Sequence, residues 1–165
     1  MASPRARRVD VPETLLNSRE FKDAHYMSAY ELPARDARSV PPEEWGRATF
    51  EGAPAPLRGF LVLGWTQVLR LRLGPRSSGD HILGWHLSGP VSTQDESFDS
   101  LVLEGHSGSV ATYNAVLAGG DSVVWATAVH FLRPAGNLLW RTAQPVHQLV
   151  VPALLKRAGR SLAPG

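Results

Sequence analysis

The last third of the chain, residues 121–160, constrains the fold more than any other part. Strand-forming residues run from 122 to 132, break at Pro134-Ala-Gly136, and give way to one apolar-striped helix over residues 137–158. A helix with an apolar stripe must bury it against another layer, and the preceding strands supply that layer. A curved antiparallel sheet with a helix laid across it encloses space. A small-molecule cavity is therefore the first functional expectation.

Upstream, residues 24–32 alternate, with Tyr26, Ser28, Tyr30 and Leu32 on one face, and Pro33 ends this first strand. Ser39-Val-Pro-Pro-Glu-Glu predicts a helix start, with Ser39 as its cap and carboxylates in the first turn. That helix closes at Gly52. A second begins near Pro56 and stripes Leu57, Phe60, Leu61, Trp65 and Val68 along one side. From Asp80 onward the pattern is strands: residues 81–87, a weaker polar stretch at 91–97, then 98–106. Ser107-Gly108 and Gly119-Gly120 read as two-residue hairpin turns. In that register Asn114 opposes Trp125 and Thr112 opposes Thr127. One face carries Leu101, Leu103, Val116, Val129 and Phe131, and should meet the terminal helix. The other carries Glu104, His106, Tyr113, His130 and a set of alanines, and should be the outer surface. The element order makes the fold class α+β.

A chain of 165 residues suffices for one domain with its own core. We expect a flexible arm over residues 1–20, a domain over 21–160 and a tail over 161–165. The absence of cysteine removes disulfides, thiolate nucleophiles and cysteine-based metal sites together. Net charge is +2, and Arg5, Arg7 and Arg8 stand in the opening segment, so the remainder is about neutral and has no nucleic-acid footprint. The most apolar stretch, residues 59–73, is interrupted by Gln67, Arg70 and Arg72, whereas a membrane span needs about 20 apolar residues. No apolar run follows the first arginines as a secretory signal would require, so the cytoplasm is the expected location.

The inward face holds a polar-aromatic patch of Thr112, Asn114, Trp125 and Thr127. A buried amide costs a few kcal/mol unless paired, so Asn114 implies a partner: backbone, water or ligand. His147 follows Pro145 and shares a helical stripe with Trp140 and Leu154. It reads either as a proton-transfer group facing the cavity or as a marginal histidine bonded to backbone. Trp125, Trp140 and Phe131 are candidate walls, with Thr112 and Thr127 as substrate-binding hydroxyls. Glu104 and His106 share the opposite face, where a carboxylate beside an imidazole forms an alternative catalytic pair. Asp80, His81 and His86 raise a metal reading. In a single strand the two histidines point to opposite faces, so no metal is expected. Phosphate-loop and nucleophile-elbow patterns are absent, and no cofactor is expected.

Strand, two helices, antiparallel meander and long terminal helix is the order of the helix-grip, START-like (SRPBCC) superfamily. Within it the chain resembles an uncharacterised bacterial family of unknown function, rich in actinobacterial members. The resembling pieces are Ala24-His-Tyr-Met-Ser-Ala-Tyr-Glu-Leu-Pro33, Pro42-Glu-Glu-Trp-Gly-Arg-Ala-Thr-Phe50, and the end from Gly136 through Pro145-Val-His147 to Leu149-Val-Val151. Asn137 stands where that family tends to have arginine, Val146 where it has phenylalanine, and Ser109 where a histidine is common. The resemblance implies a sheet wrapped on a terminal helix, with a cavity between them. START-like proteins include lipid carriers, hormone receptors and polyketide aromatase/cyclases. The expectation is thus a hydrophobic small-molecule partner, handled by a cofactor-free cyclase, dehydratase or isomerase of polyketide- or terpenoid-like metabolism. His147 and Asn114 would be its catalytic groups. The alternatives are a non-catalytic lipid-like carrier or sensor, and an interaction module forming a homodimer through the alanine-rich outer face.

Overall fold

The computed structural model describes residues 4–92 and 95–162. In chain order the elements are β1 (Arg7–Val9), α1 (Glu13–Leu16), β2 (Tyr26–Pro33), a 3-10 turn (Ala37–Ser39), α2 (Pro42–Phe50), α3 (Ala55–Leu63), a π-helical turn (Gly64–Val68), β3 (Ser77–Ser78), β4 (His81–Ile82), β5 (Trp85–Gly89), β6 (Asp99–His106), β7 (Val110–Ala118), β8 (Ser122–Phe131) and α4 (Pro134–Leu162). The strands make one antiparallel sheet in the order β1-β2-β8-β7-β6-β5-β4-β3. The class is α+β, with a curved sheet and the long terminal helix on its inner side.

The register corrects the expected pairing by two residues. Asn114 pairs with Thr127, and Thr112 with Val129. The cause is in the turns, whose tips are Gly108-Ser109 and Gly120-Asp121, each one residue later than expected. The Ser107 N–H donates to the Val110 carbonyl at 2.8 Å, and the Gly119 N–H to the Ser122 carbonyl at 2.9 Å. In the first turn the Ser107 hydroxyl accepts the N–H groups of Ser109 and Val110, each at 3.1 Å, which favours that placement. A slip of two preserves side-chain parity. Leu103, Val116 and Trp125 consequently stay on the inner face, and Val102, Ala115 and Ala126 on the outer one.

Residues 81–87, expected as one strand, form a hairpin in which His81 pairs with His86 and Ile82 with Trp85. Leu83 (φ 47°) and Gly84 (φ 93°) both take left-handed backbone, as this tight turn demands. Leucine is a poor choice there. It is held because its side chain is buried in the core and its N–H donates to the Glu51 carboxylate at 3.3 Å. Ser39 does not cap α2 either. Its hydroxyl donates to the Asp36 carbonyl, while Pro41 and Pro42 start the helix and Glu43 and Glu44 face its positive end. The expected strand at residues 91–97 lies partly outside the described residues, and Val91 is buried outside any strand. Helix α4 continues to Leu162, past the expected start of a tail, and contains Pro145 and Pro152.

The outer face carries a second correction. From Arg7 onward the opening segment is not a free arm: β1 extends the sheet beside β2. Leu15 and Phe21 join Val91, Val102, Ala115, Ala126 and Ala128 in a separate core cluster. Alanines on that face leave room for this extra layer, and Ala115, Ala126 and Ala128 are wholly inaccessible. The surface expected to form a homodimer is therefore covered by the chain itself. Leu15→Ala should lower stability by about 2 kcal/mol in urea unfolding, the low end for a buried leucine, because a single-turn helix can settle into the gap. An unchanged midpoint would mean that the segment is not docked.

Candidate functional site

Helix α4 is buried at Gly136 and Trp140 and again from Val151 to Ala158, but much less so between them. That middle stretch faces a cavity of about 470 Å³ rather than a packed core. Ala143, Val146, His147 and Val150 form the α4 wall. Phe60, Leu63, Trp65 and Val68 form the wall of α3 and the π-turn. The turn is defined by the Leu69 N–H reaching the Gly64 carbonyl, five residues back, at 3.1 Å. Phe60, expected in the helix core stripe, instead lines the cavity. It is 52% exposed, and Leu63 is 60% exposed. Both stand at the opening.

The sheet supplies the polar floor. Thr112 and Asn114 of β7 and Thr127 of β8 line it, all nearly buried. The Thr112 hydroxyl donates to the Gly105 carbonyl at 2.6 Å. The Asn114 side-chain oxygen accepts two bonds, from the Thr127 hydroxyl at 2.7 Å and from the indole N–H of Trp125 at 3.1 Å. An indole nitrogen only donates, so the Asn114 oxygen must face Trp125 and the amide NH2 must point the other way. Trp125 itself is fully buried behind the floor, packed edge-on against Phe50 at 4.9 Å. It supports the site rather than lining it.

His147 lies at the α4 side of the same cavity. Its Nε2 is 3.4 Å from the Ser28 hydroxyl, and its ring stands edge-on to Trp140 at 5.2 Å and to Tyr26 at 6.0 Å. Burial pushes the imidazole down from its ordinary 6.5 to about 4, and the positive charge of Arg8 acts in the same direction. The ring is neutral at physiological pH. None of the described residues lining the cavity carries a formal charge there.

Five of the candidate residues thus meet around one space: Thr112, Asn114, Thr127, Trp140 and His147. Phe131 does not; it stacks on His25 at 4.8 Å, away from the cavity wall. Glu104 and His106 lie across the sheet from it. Glu104 is 3.5 Å from His86 Nδ1 and 3.8 Å from His106 Nε2, in a half-open cluster. On that face burial raises the Tyr113 phenol above its ordinary value, with the Glu104 charge adding to the effect. His130, expected to be free on the outer surface, is bonded to the Glu20 carbonyl at 2.8 Å. The hairpin brings the His81 and His86 rings to 5.5 Å of each other, against the expectation of opposite faces. Among the described residues no three histidine or carboxylate side chains are placed to hold a metal ion. The residues that sequence reasoning missed are those of the α3 wall. The available signal was Leu63, apolar yet off the helix stripe.

No protein-family model matches this chain, and no curated protein does. Among solved structures, a Pseudomonas aeruginosa protein of unknown function aligns over 91% of this chain and 83% of its own, at 13% identity and a TM-score of 0.25. A likeness of that size supports no conclusion about fold family or activity, and the reading of the site rests on its own geometry.

Proposed function

We propose that this protein binds a small hydrophobic molecule between its sheet and its terminal helix, in the manner of a helix-grip, START-like carrier or sensor. The observation that carries this reading is the cavity of about 470 Å³, with apolar walls and a few placed polar groups at its floor. That volume and that balance of surfaces suit a ligand of drug-like size. The test is native mass spectrometry of the freshly purified protein, followed by denaturing extraction. A stoichiometric hydrophobic adduct is expected in wild type. It should be missing from Ala143→Trp, whose indole would fill the space from the α4 wall. Equal uptake of hydrophobic ligands by the two proteins would sink the proposal.

The second reading is a cofactor-free cyclase, dehydratase or isomerase acting on a polyketide- or terpenoid-like substrate. It is favoured by His147 and Asn114 facing one cavity. Against it, a general base works best with a pKa near the working pH, and His147 at about 4 is weakly basic and unprotonated at neutrality. A reaction here would depend on shape and on the Asn114 donor polarising an oxygen. Recovery of the bound molecule chemically unchanged supports the carrier. Turnover that falls in both Asn114→Ala and His147→Ala supports the enzyme.

A further inference from the structure

The hydrogen bonds around Asn114 say what the cavity floor lacks. Asn114 is only 4% exposed, and its oxygen is already committed to Thr127 and Trp125. Its two amide protons meet no acceptor among the described residues, yet the nitrogen is not sealed from the cavity. The neighbouring hydroxyls do not reorient to help: Thr112 spends its proton on Gly105 and Thr127 on Asn114. With those protons committed the two threonine oxygens can only accept, and the floor's one uncommitted donor pair is the Asn114 amide, in a largely apolar cavity. The indole N–H groups of Trp85 and Trp140, both in the walls, also lack an acceptor, but unlike the Asn114 amide their nitrogens are sealed from the cavity. An unmet buried donor costs about 1–3 kcal/mol, which a ligand oxygen can recover. Lining residues without formal charge offer nothing to balance a buried carboxylate or ammonium.

We infer that the ligand is an uncharged apolar molecule bearing a carbonyl-type acceptor, such as a ketone, ester, lactone or quinone, seated with its oxygen on the Asn114 amide. This inference rests on the cavity-binding reading above. It adds an orientation: the carbonyl goes down against β7, and the apolar remainder extends toward Phe60 and Leu63 at the opening. It also identifies Asn114 as the residue that separates carbonyl compounds from hydrocarbons of similar shape. The Trp125 and Thr127 donors fix the amide in the one orientation that can do so.

The test uses a matched pair of fluorescent probes, 6-propionyl-2-dimethylaminonaphthalene and the same amine without its acyl group. Fluorescence titration of wild type and Asn114→Leu gives four dissociation constants. The preference for the ketone should fall about tenfold in the variant, the worth of one well-formed hydrogen bond. Binding of the probe without a carbonyl should be nearly unchanged. The variant strands the Trp125 donor, so a second measurement needs wild type alone: the infrared carbonyl stretch of the bound ketone. A stretch below its frequency in hexane supports the hydrogen bond. Equal preference in the two proteins, or a carbonyl stretch at the hexane frequency, overturns the acceptor inference while leaving the cavity reading intact. Failure of wild type to bind either probe overturns both together.

Discussion

Gly136→Val should destabilise the protein by roughly 3 kcal/mol or more, enough to move a urea or thermal midpoint far outside error. Gly136 sits in the first turn of α4, where the helix crosses the start of β7. A Cβ added there would collide with the Ser109 carbonyl oxygen and lie 3.1 Å from Val110 Cγ1. The obstruction is backbone. That carbonyl also accepts the Leu132 N–H at 2.8 Å, so it cannot rotate aside without breaking a bond between neighbouring strands. The helix must therefore lift, and the displacement passes to Trp140, one turn further along the cavity wall. Gly136→Ala should show the same effect in weaker form, together with altered binding of hydrophobic probes. A wild-type midpoint for the valine variant would mean that α4 does not rest on that edge.

The second large effect is a loss of stability in mild acid that belongs to His147. Its folded pKa of about 4 lies below the ordinary 6.5 because burial disfavours the imidazolium and Arg8 repels it. Above pH 6.5 both folded and unfolded chains hold a neutral ring, and its contribution is fully present. Between 6.5 and about 4 the unfolded chain takes up a proton that the folded chain refuses, so stability falls as the pH falls. The total is about 2–3 kcal/mol, the lower part of the range allowing for the ring's opening to the cavity. Carboxylates titrate in the same window, so the quantity to measure is a difference. Urea unfolding of wild type and His147→Gln at pH 7.5 and 4.5 should show the excess loss in wild type. Equal losses would mean that the imidazole is solvated in the folded protein.

Much of this architecture was legible because parity is robust. The period-two pattern over residues 101–131 assigned inner and outer faces correctly even though both hairpins were misread, since two errors of two residues each leave every side chain on its own side. What failed were features fixed by tertiary contacts. Leu83 has no intrinsic reason to take left-handed backbone; Glu51, the residue that caps the end of α2, and the surrounding core hold it there. Residues 7–21 look polar, yet Leu15 and Phe21 are the two that matter, and only the alanines of the outer face show where they go. In the site, the place of Asn114 at the cavity floor could be anticipated from a polar residue on an apolar face. The expected register already set Trp125 opposite Asn114; the structure puts Thr127 there, and both donate to the amide oxygen. Trp125 looked like a wall and proves to be the support behind it.

The covered outer face has a consequence for how such a protein changes over time. The sheet separates two cores, one hollow and facing α4, the other solid and built from Leu15, Phe21 and small residues of the middle strands. Substitutions among Phe60, Val68, Ala143 or Val150 reshape the hollow side without touching the solid one. Most mutations cost stability, and a lineage explores new ligands only while some reserve remains. Here that reserve is held by residues that do not line the cavity. The cavity wall can drift across related chains while the alanine-bearing face and its cover stay nearly fixed.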